Sequence, residues 1–156
     1  HFFLPENVPE SKHSHVLKNA KIDKVWELLN DPINMRTIES QGDKATAYDI
    51  EKDKNGSLIK WKDDLSGNTT LTWTQESDLK SHSLTRIAKD SVVPLTIKVQ
   101  IDLKQIGENV EMKITENMII RNGTWHVPIF RVIMTFQPGY GSKEYASRIE
   151  KHFIKQ

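Results

Sequence analysis

The chain has 156 residues, 37% hydrophobic and 28% charged, with 22 basic residues against 21 acidic ones and a formal net charge of +1. That length suits one domain with a real core, and the balanced charge, with no local Lys/Arg cluster, gives no electrostatic case for nucleic acid. The absence of cysteine excludes disulfides, thiolate catalysis and Cys-based metal sites, and no run approaches the roughly 20 apolar residues of a membrane-spanning helix.

The first residues, His1-Phe2-Phe3-Leu4-Pro5, are an abrupt greasy run without an initiator Met. They read either as the stub of a removed signal or membrane anchor, or as a strand packed on the domain. Residues 1–11 are therefore taken as a lead-in and 12–156 as one domain. Any membrane attachment would come through such an anchor, and the oligomeric state is left open.

Lys12 to Ala20 is predicted as a first strand with His13, His15 and Leu17 on one face. Asp23 marks a helix N-cap region. Val25, Trp26, Leu28 and Leu29 follow at helical spacing, and Asn30-Asp31-Pro32 ends the helix. Ile33, Met35 and Ile38 suggest a second short helix or an irregular turn.

Six strands are predicted next. Ala45–Lys52 leads through Asp53-Lys54-Asn55-Gly56, whose Asn-Gly pair is a strong hairpin signal, into Leu58–Asp63. Thr69–Gln75 and Ser83–Lys89 follow. Pro94–Gln105 alternates strictly: Leu95, Ile97, Val99, Ile101 and Leu103 point one way, their polar neighbours the other. Val110–Ile120 repeats the pattern after a turn at Gly107-Glu108-Asn109. Such period-two patterning marks a sheet with one buried and one wetted face.

Pro128–Phe136 is apolar with helix-compatible spacing, although its β-branched residues leave strand open. Pro138-Gly139-Tyr140-Gly141 breaks it. Ser142 is then an expected N-cap for a final amphipathic helix, with Tyr145, Ile149, His152 and Phe153 on one face. The expected fold class is α+β: a seven-stranded antiparallel sheet curved around a long C-terminal helix, with two short helices after the first strand. One helix about 10–12 Å across does not fill the concave side of so wide a sheet. The remaining space collapses or becomes a pocket for an apolar molecule.

One local run carries a resemblance. Ala20-Lys21-Ile22-Asp23-Lys24-Val25-Trp26-Glu27-Leu28-Leu29-Asn30-Asp31 is similar to the opening of the first helix in the START-like (SRPBCC, birch-allergen-like) helix-grip superfamily. The nearest group within it is the bacterial polyketide cyclase/dehydrase and lipid-transport group. Ala20, Val25, Trp26, Leu29 and Asp31 match, Asp23 replaces a Glu, and Lys21 stands where Pro is usual. The Trp usually found soon after Asp31 is missing. Ile129 to Gly141 also resembles the segment before the last helix of that group. Phe2-Phe3-Leu4-Pro5 is similar to the end of an N-terminal anchor that some members carry. The resemblance, over about residues 12–156, implies a helix-grip fold that binds a hydrophobic small molecule or lipid, in the bacterial cytoplasm or as an anchored extracytoplasmic domain.

The expected pocket walls are the odd-numbered face of Leu95–Leu103, including Ile97 and Val99, and the even-numbered face of Val110–Ile120, including Met112, Ile114 and Met118. Tyr145, Ile149 and Phe153 of the last helix complete them. Trp61 and Trp73 lie on adjacent strands in apolar register with Ile59 and Leu71; such aromatics line pockets as readily as they fill cores. Glu116 shares the register of Met112, Ile114 and Met118, so alternation aims a carboxylate inward, where it needs a partner. Arg131, His126 and Arg121 are the candidates.

Three functions follow. The first is a noncatalytic binding module in which Glu116 or an Arg such as Arg131 orients the ligand. The second is a cyclase/aromatase- or hydrolase-like enzyme using Glu116 or His126 for proton transfer. The third is a protein-interaction domain with a collapsed core. No cofactor is expected, and the six histidines form no metal pattern, His13-Ser14-His15 lacking a third ligand nearby.

Overall fold

The computed structural model describes residues 10–39, 47–65, 69–90, 95–120 and 140–154. Seven strands, β1 (Ser11–Leu17), β2 (Ala47–Lys52), β3 (Leu58–Leu65), β4 (Thr69–Asp78), β5 (Ser83–Asp90), β6 (Leu95–Ile106) and β7 (Asn109–Ile120), form one sheet. Helices α1 (Ile22–Leu29) and α2 (Pro32–Glu39) follow β1, and α3 (Tyr140–Ile154) ends the chain. The expected element order and α+β class hold. The stretch 128–136, which contains Arg131, and His126 ahead of it lie outside the described residues, as do residues 1–9 of the lead-in 1–11.

The strand order is β1-β7-β6-β5-β4-β3-β2, every pair antiparallel. Consecutive strands from β2 to β7 are therefore neighbours, and β1 closes onto β7. Short turns set the registers. Asp53 accepts bonds from Asn55 N (2.8 Å) and Ser57 N (3.0 Å) while Gly56 takes φ +80°, the left-handed region its missing Cβ permits. Gly107, at φ +58°, makes the two-residue turn that pairs Ile106 with Asn109.

Alternation puts Val110, Met112 and Ile114 of β7, Ile101 and Leu103 of β6 and Leu84 of β5 on one face. They form one hydrophobic cluster with Leu17, Ala20, Val25, Trp26, Leu28, Leu29, Met35, Ala146 and Ile149. The helices thus cover one end of the inner face. Helix α3 rests on β1, β7 and α2, and α1 rests on β6. The buried stripe of α3 runs Ala146, Ile149, Phe153, the last half-buried. At the sheet's edge His15 Nε2 meets Glu150 Oε2, linking β1 to α3.

Three expectations shift. Asp23 lies in the first turn of α1, and Lys21, which has no side-chain acceptor, occupies the cap. A tertiary contact replaces the missing cap: Gln105 Oε1 of β6 accepts from Ile22 N at 2.8 Å, and Gln105 Nε2 donates to Ala20 O at 3.1 Å. Ser142 falls inside α3, which starts two residues earlier at Tyr140 and so has no cap at the expected place. Ile59 is 45% exposed while Leu58 is 1% exposed. Beside the irregular register of β2 on β3, Leu58 N donates to Asn30 Oδ1 (3.0 Å), and the alternation resets before Trp61. Asp31 does cap α2, accepting from Asn34 N at 3.1 Å ahead of Pro32 at the first helical position.

Two outcomes test this packing. Met112→Ala, at the centre of the cluster, should lose about 2–5 kcal/mol in urea unfolding, whereas Ile59→Ala should change stability by no more than about 0.5 kcal/mol. At the β2 edge the Tyr48 phenol donates to Asp64 Oδ1 at 2.9 Å, and that bonded carboxylate raises its pKa above the ordinary 10.0. The neutral phenol is the favoured form, so any stability it adds is present below the ordinary value and lost as pH rises through the raised one. Ultraviolet titration should show one of the three tyrosines ionising late, and Asp64→Asn should bring it down.

Candidate functional site

The inner face continues beyond the packed cluster, and its character changes there. Trp61 of β3 and Trp73 of β4 are paired directly across the strands. Their rings stack with centroids 5.7 Å apart and an interplanar angle of 10°. Trp61 is buried and Trp73 half-buried, and neither belongs to the main cluster. Trp73 faces Ala88 of β5, and Ala88 faces Ile97 of β6, which in turn faces Met118 of β7. One cross-strand row thus runs Trp61, Trp73, Ala88, Ile97, Met118, with a small residue at its middle.

The next row is polar and separates this region from the packed end. It runs Gln75 of β4, Arg86 of β5, Val99 of β6, Glu116 of β7 and Ser11 of β1. Arg86 is only 7% exposed. Its Nε donates to Gln75 Oε1 at 2.8 Å, its Nη2 donates to Leu29 O at the end of α1, and its guanidinium carbon stands 5.3 Å from the Trp61 ring centroid. A cation there complements the negative end of the helix and the face of the indole together. Gln75 Nε2 donates to Asn30 Oδ1 and to Ser77 Oγ, both at 2.8 Å, and Asn30 Nδ2 donates to Trp26 O at 2.9 Å. Asn30 therefore ends α1, receives the Leu58 amide and holds the sheet's polar row at once.

The expected site residues divide between these regions. Trp61 and Trp73 are brought together. Ile97 and Val99 are half-buried on the inner face, Val99 packing on the cluster. Met112, Ile114 and Ile149 lie wholly within the packed cluster, and Phe153 lies against it with an edge-on contact to His152. Glu116 takes the expected inward register and is half-buried, engaged with its surroundings. Met118 is opposite Ile97 by backbone pairing, and its side chain, like that of Tyr145, lies outside the described residues. So do Arg131, Arg121 and His126.

Sequence reasoning missed Arg86, Gln75, Asn30 and Asp63, the last buried on the inner face of β3 opposite Leu71. A signal existed for Arg86: it alternates with Leu84 and Ala88. Ile87 on the other face blurred it. His13 and His15 both turn inward on β1, their rings 5.8 Å apart. Among the described residues no group of three side chains is placed to hold a metal. A hollow of about 370 Å³ at Asp49, Ile50, Glu51, Lys60 and Lys62 lies by β2, with Lys60 and Lys62 facing away from the Trp61 side of β3.

No family model matches the chain, and no curated protein matches it. Solved structures do. A START superfamily protein from Mycobacterium smegmatis aligns with TM-score 0.72 at 7% identity over 94% of this chain and 97% of its own. The Zhui aromatase/cyclase from Streptomyces sp. R1128 aligns with TM-score 0.71 at 15% identity over 94% of both chains. A conserved protein from Geobacillus kaustophilus aligns with TM-score 0.65 at 15% identity, over 94% of this chain and 96% of its own. The chain has the START-like helix-grip fold.

The polar row makes its own prediction. Asn30→Ala removes the acceptor for Leu58 N and Gln75 Nε2 and the donor to Trp26 O. It should cost at least about 2 kcal/mol in urea unfolding, because buried groups are left unsatisfied. A double-mutant cycle with Gln75→Ala should show coupling of about 0.5–3 kcal/mol.

Proposed function

We propose, taking the START-like fold as premise, that this protein binds an apolar small molecule or lipid against the inner face of its sheet, beyond the packed cluster. The observation that carries this reading is the stacked Trp61–Trp73 pair, which stands on the inner face outside the cluster that fixes the helices. Two large flat rings beside a small residue, Ala88, and half-buried Ile97 offer apolar area with little ordering cost. Arg86 and Gln75 bound that surface with a few fixed polar groups, the composition expected of a ligand wall. Met112, Ile114 and Ile149 act in this reading as the scaffold, and Trp61, Trp73 and Ile97 as the contact surface.

Catalysis is the second reading, favoured by one observation. Glu116 projects from the inner face of β7 opposite Val99, in the same cross-strand row as Arg86. A carboxylate so placed would be the proton-transfer group of a cyclase- or hydrolase-like reaction on the bound molecule. The aromatase/cyclase among the similar structures supports that reading by fold alone.

Binding and catalysis separate experimentally. Native mass spectrometry of the purified chain should show a co-purifying small molecule, or the chain should enhance the fluorescence of N-phenyl-1-naphthylamine. Trp61→Ala should weaken that dye by about tenfold or more, the loss of one well-packed aromatic contact. The absence of both a bound molecule and a dye response would remove the binding reading. Glu116→Gln should abolish any turnover while changing dye affinity by less than about twofold, because the dye is neutral and apolar.

A further inference from the structure

The packing leaves one donor of the inner face unanswered. Trp73 Nε1 is buried and, among the described residues, meets no hydrogen-bond acceptor. A buried N–H without an acceptor costs about as much as a lost hydrogen bond, and phenylalanine would fill much of the same space without that cost. The side-chain amide oxygens nearest the polar row are engaged. Gln75 Oε1 receives Arg86 Nε, and Asn30 Oδ1 receives both Leu58 N and Gln75 Nε2. Directly across from Trp73 stand Trp61 and Ala88, whose side chains offer no acceptor.

We infer that the bound molecule supplies the acceptor: the ligand has an apolar body and carries a carbonyl or carboxylate oxygen that takes the Trp73 Nε1–H bond. This rests on the reading of the Trp61–Trp73 surface as the ligand wall. Arg86 favours the same chemistry. Its guanidinium is buried 5.3 Å from the Trp61 centroid and is oriented by Gln75 and Leu29 O, so its positive charge makes this end of the wall attractive to oxygen and more so to a carboxylate. The ligand's apolar body lies on the indole rings and Ile97, and its oxygen sits toward the polar row. A plain hydrocarbon leaves the indole donor buried and unpaired, and is discriminated against for that reason.

Three probes of one shape test this on the full chain: 2-methylnaphthalene, methyl 2-naphthoate and 2-naphthoate, with dissociation constants measured by titration calorimetry. The ester should bind the wild type about tenfold to a hundredfold more tightly than the hydrocarbon, the range expected for satisfying one buried donor. Trp73→Phe keeps an aromatic ring and removes the N–H, and should shrink that gap to about twofold or less. Comparing the gap in the two proteins cancels the probes' different affinities for water. A carboxylate tighter than the ester would identify an acid as the natural class, and the reverse would identify a neutral carbonyl compound. The infrared carbonyl stretch of methyl 2-naphthoate bound to the wild type should also lie at lower frequency than in an aprotic apolar solvent such as hexane, a measurement that does not depend on the variant folding. An equal gap in wild type and Trp73→Phe, or a bound ester with an unshifted carbonyl, overturns the inference and leaves the pocket standing. Binding of none of the three probes overturns the pocket reading and this inference with it.

Discussion

Among the described residues, one 15-residue terminal helix lies on the inner face of a seven-stranded sheet. At 1.5 Å per residue that helix is about 22 Å long and 10–12 Å across, while seven strands at about 4.8 Å spacing span roughly 29 Å. Helix and sheet do not match, and much of the rest of the structure answers to that mismatch. The two short helices inserted after β1 extend the cover. Through Val25, Trp26, Leu28, Leu29 and Met35 they complete a cluster with Leu84, Ile101, Leu103, Met112 and Ile114. Outside that cluster, among the described residues, lies the region of Trp61, Trp73, Ala88 and Ile97.

The border between the two regions is chemical as well as geometric. Helix α1 ends over the sheet, and its last carbonyls need donors. Arg86 supplies one to Leu29 O, and Asn30 supplies one to Trp26 O. Both are tied through Gln75, so the groups that finish a helix also draw a polar line across an otherwise apolar wall. Such a network is stiff because each member holds at least two others, and removing one leaves buried groups unsatisfied. In the proposed function, a stiff polar line beside a stacked aromatic pair would orient a small molecule as well as hold it.

Much of this fold was legible in the residue pattern. The ten-residue alternation of β6 and its echo in β7 identified the buried face correctly, down to the inward register of Glu116. The expectation that Trp61 and Trp73 share a register became a direct pair. The features that escaped were those decided by tertiary contact. Gln105 caps α1 from across the chain, which no reading of Lys21 to Asp23 reveals. Asn30 reads as a helix stop, and its links to Leu58 and Gln75 exist only once β3 and β4 are in place. Arg86 sits in a strand whose two faces are both mixed, Leu84 and Ala88 on one, Thr85 and Ile87 on the other, so period-two patterning does not tell the buried face from the wetted one there. Leu58 and Ile59 changed places because β2 and β3 pair irregularly.

The central claim is that the inner face has two functions by position: a packed end that fixes the helices and an aromatic end that receives the ligand. The indole signals of a nitrogen-15 labelled sample, recorded during titration with methyl 2-naphthoate, test it most directly. Trp26 lies in the packed cluster and Trp61 and Trp73 beyond the polar row. The account predicts that the Trp61 and Trp73 signals move with saturable, matching dependence on ligand while Trp26 stays in place. A shift of Trp26 alone, or saturable binding that moves neither Trp61 nor Trp73, would contradict it.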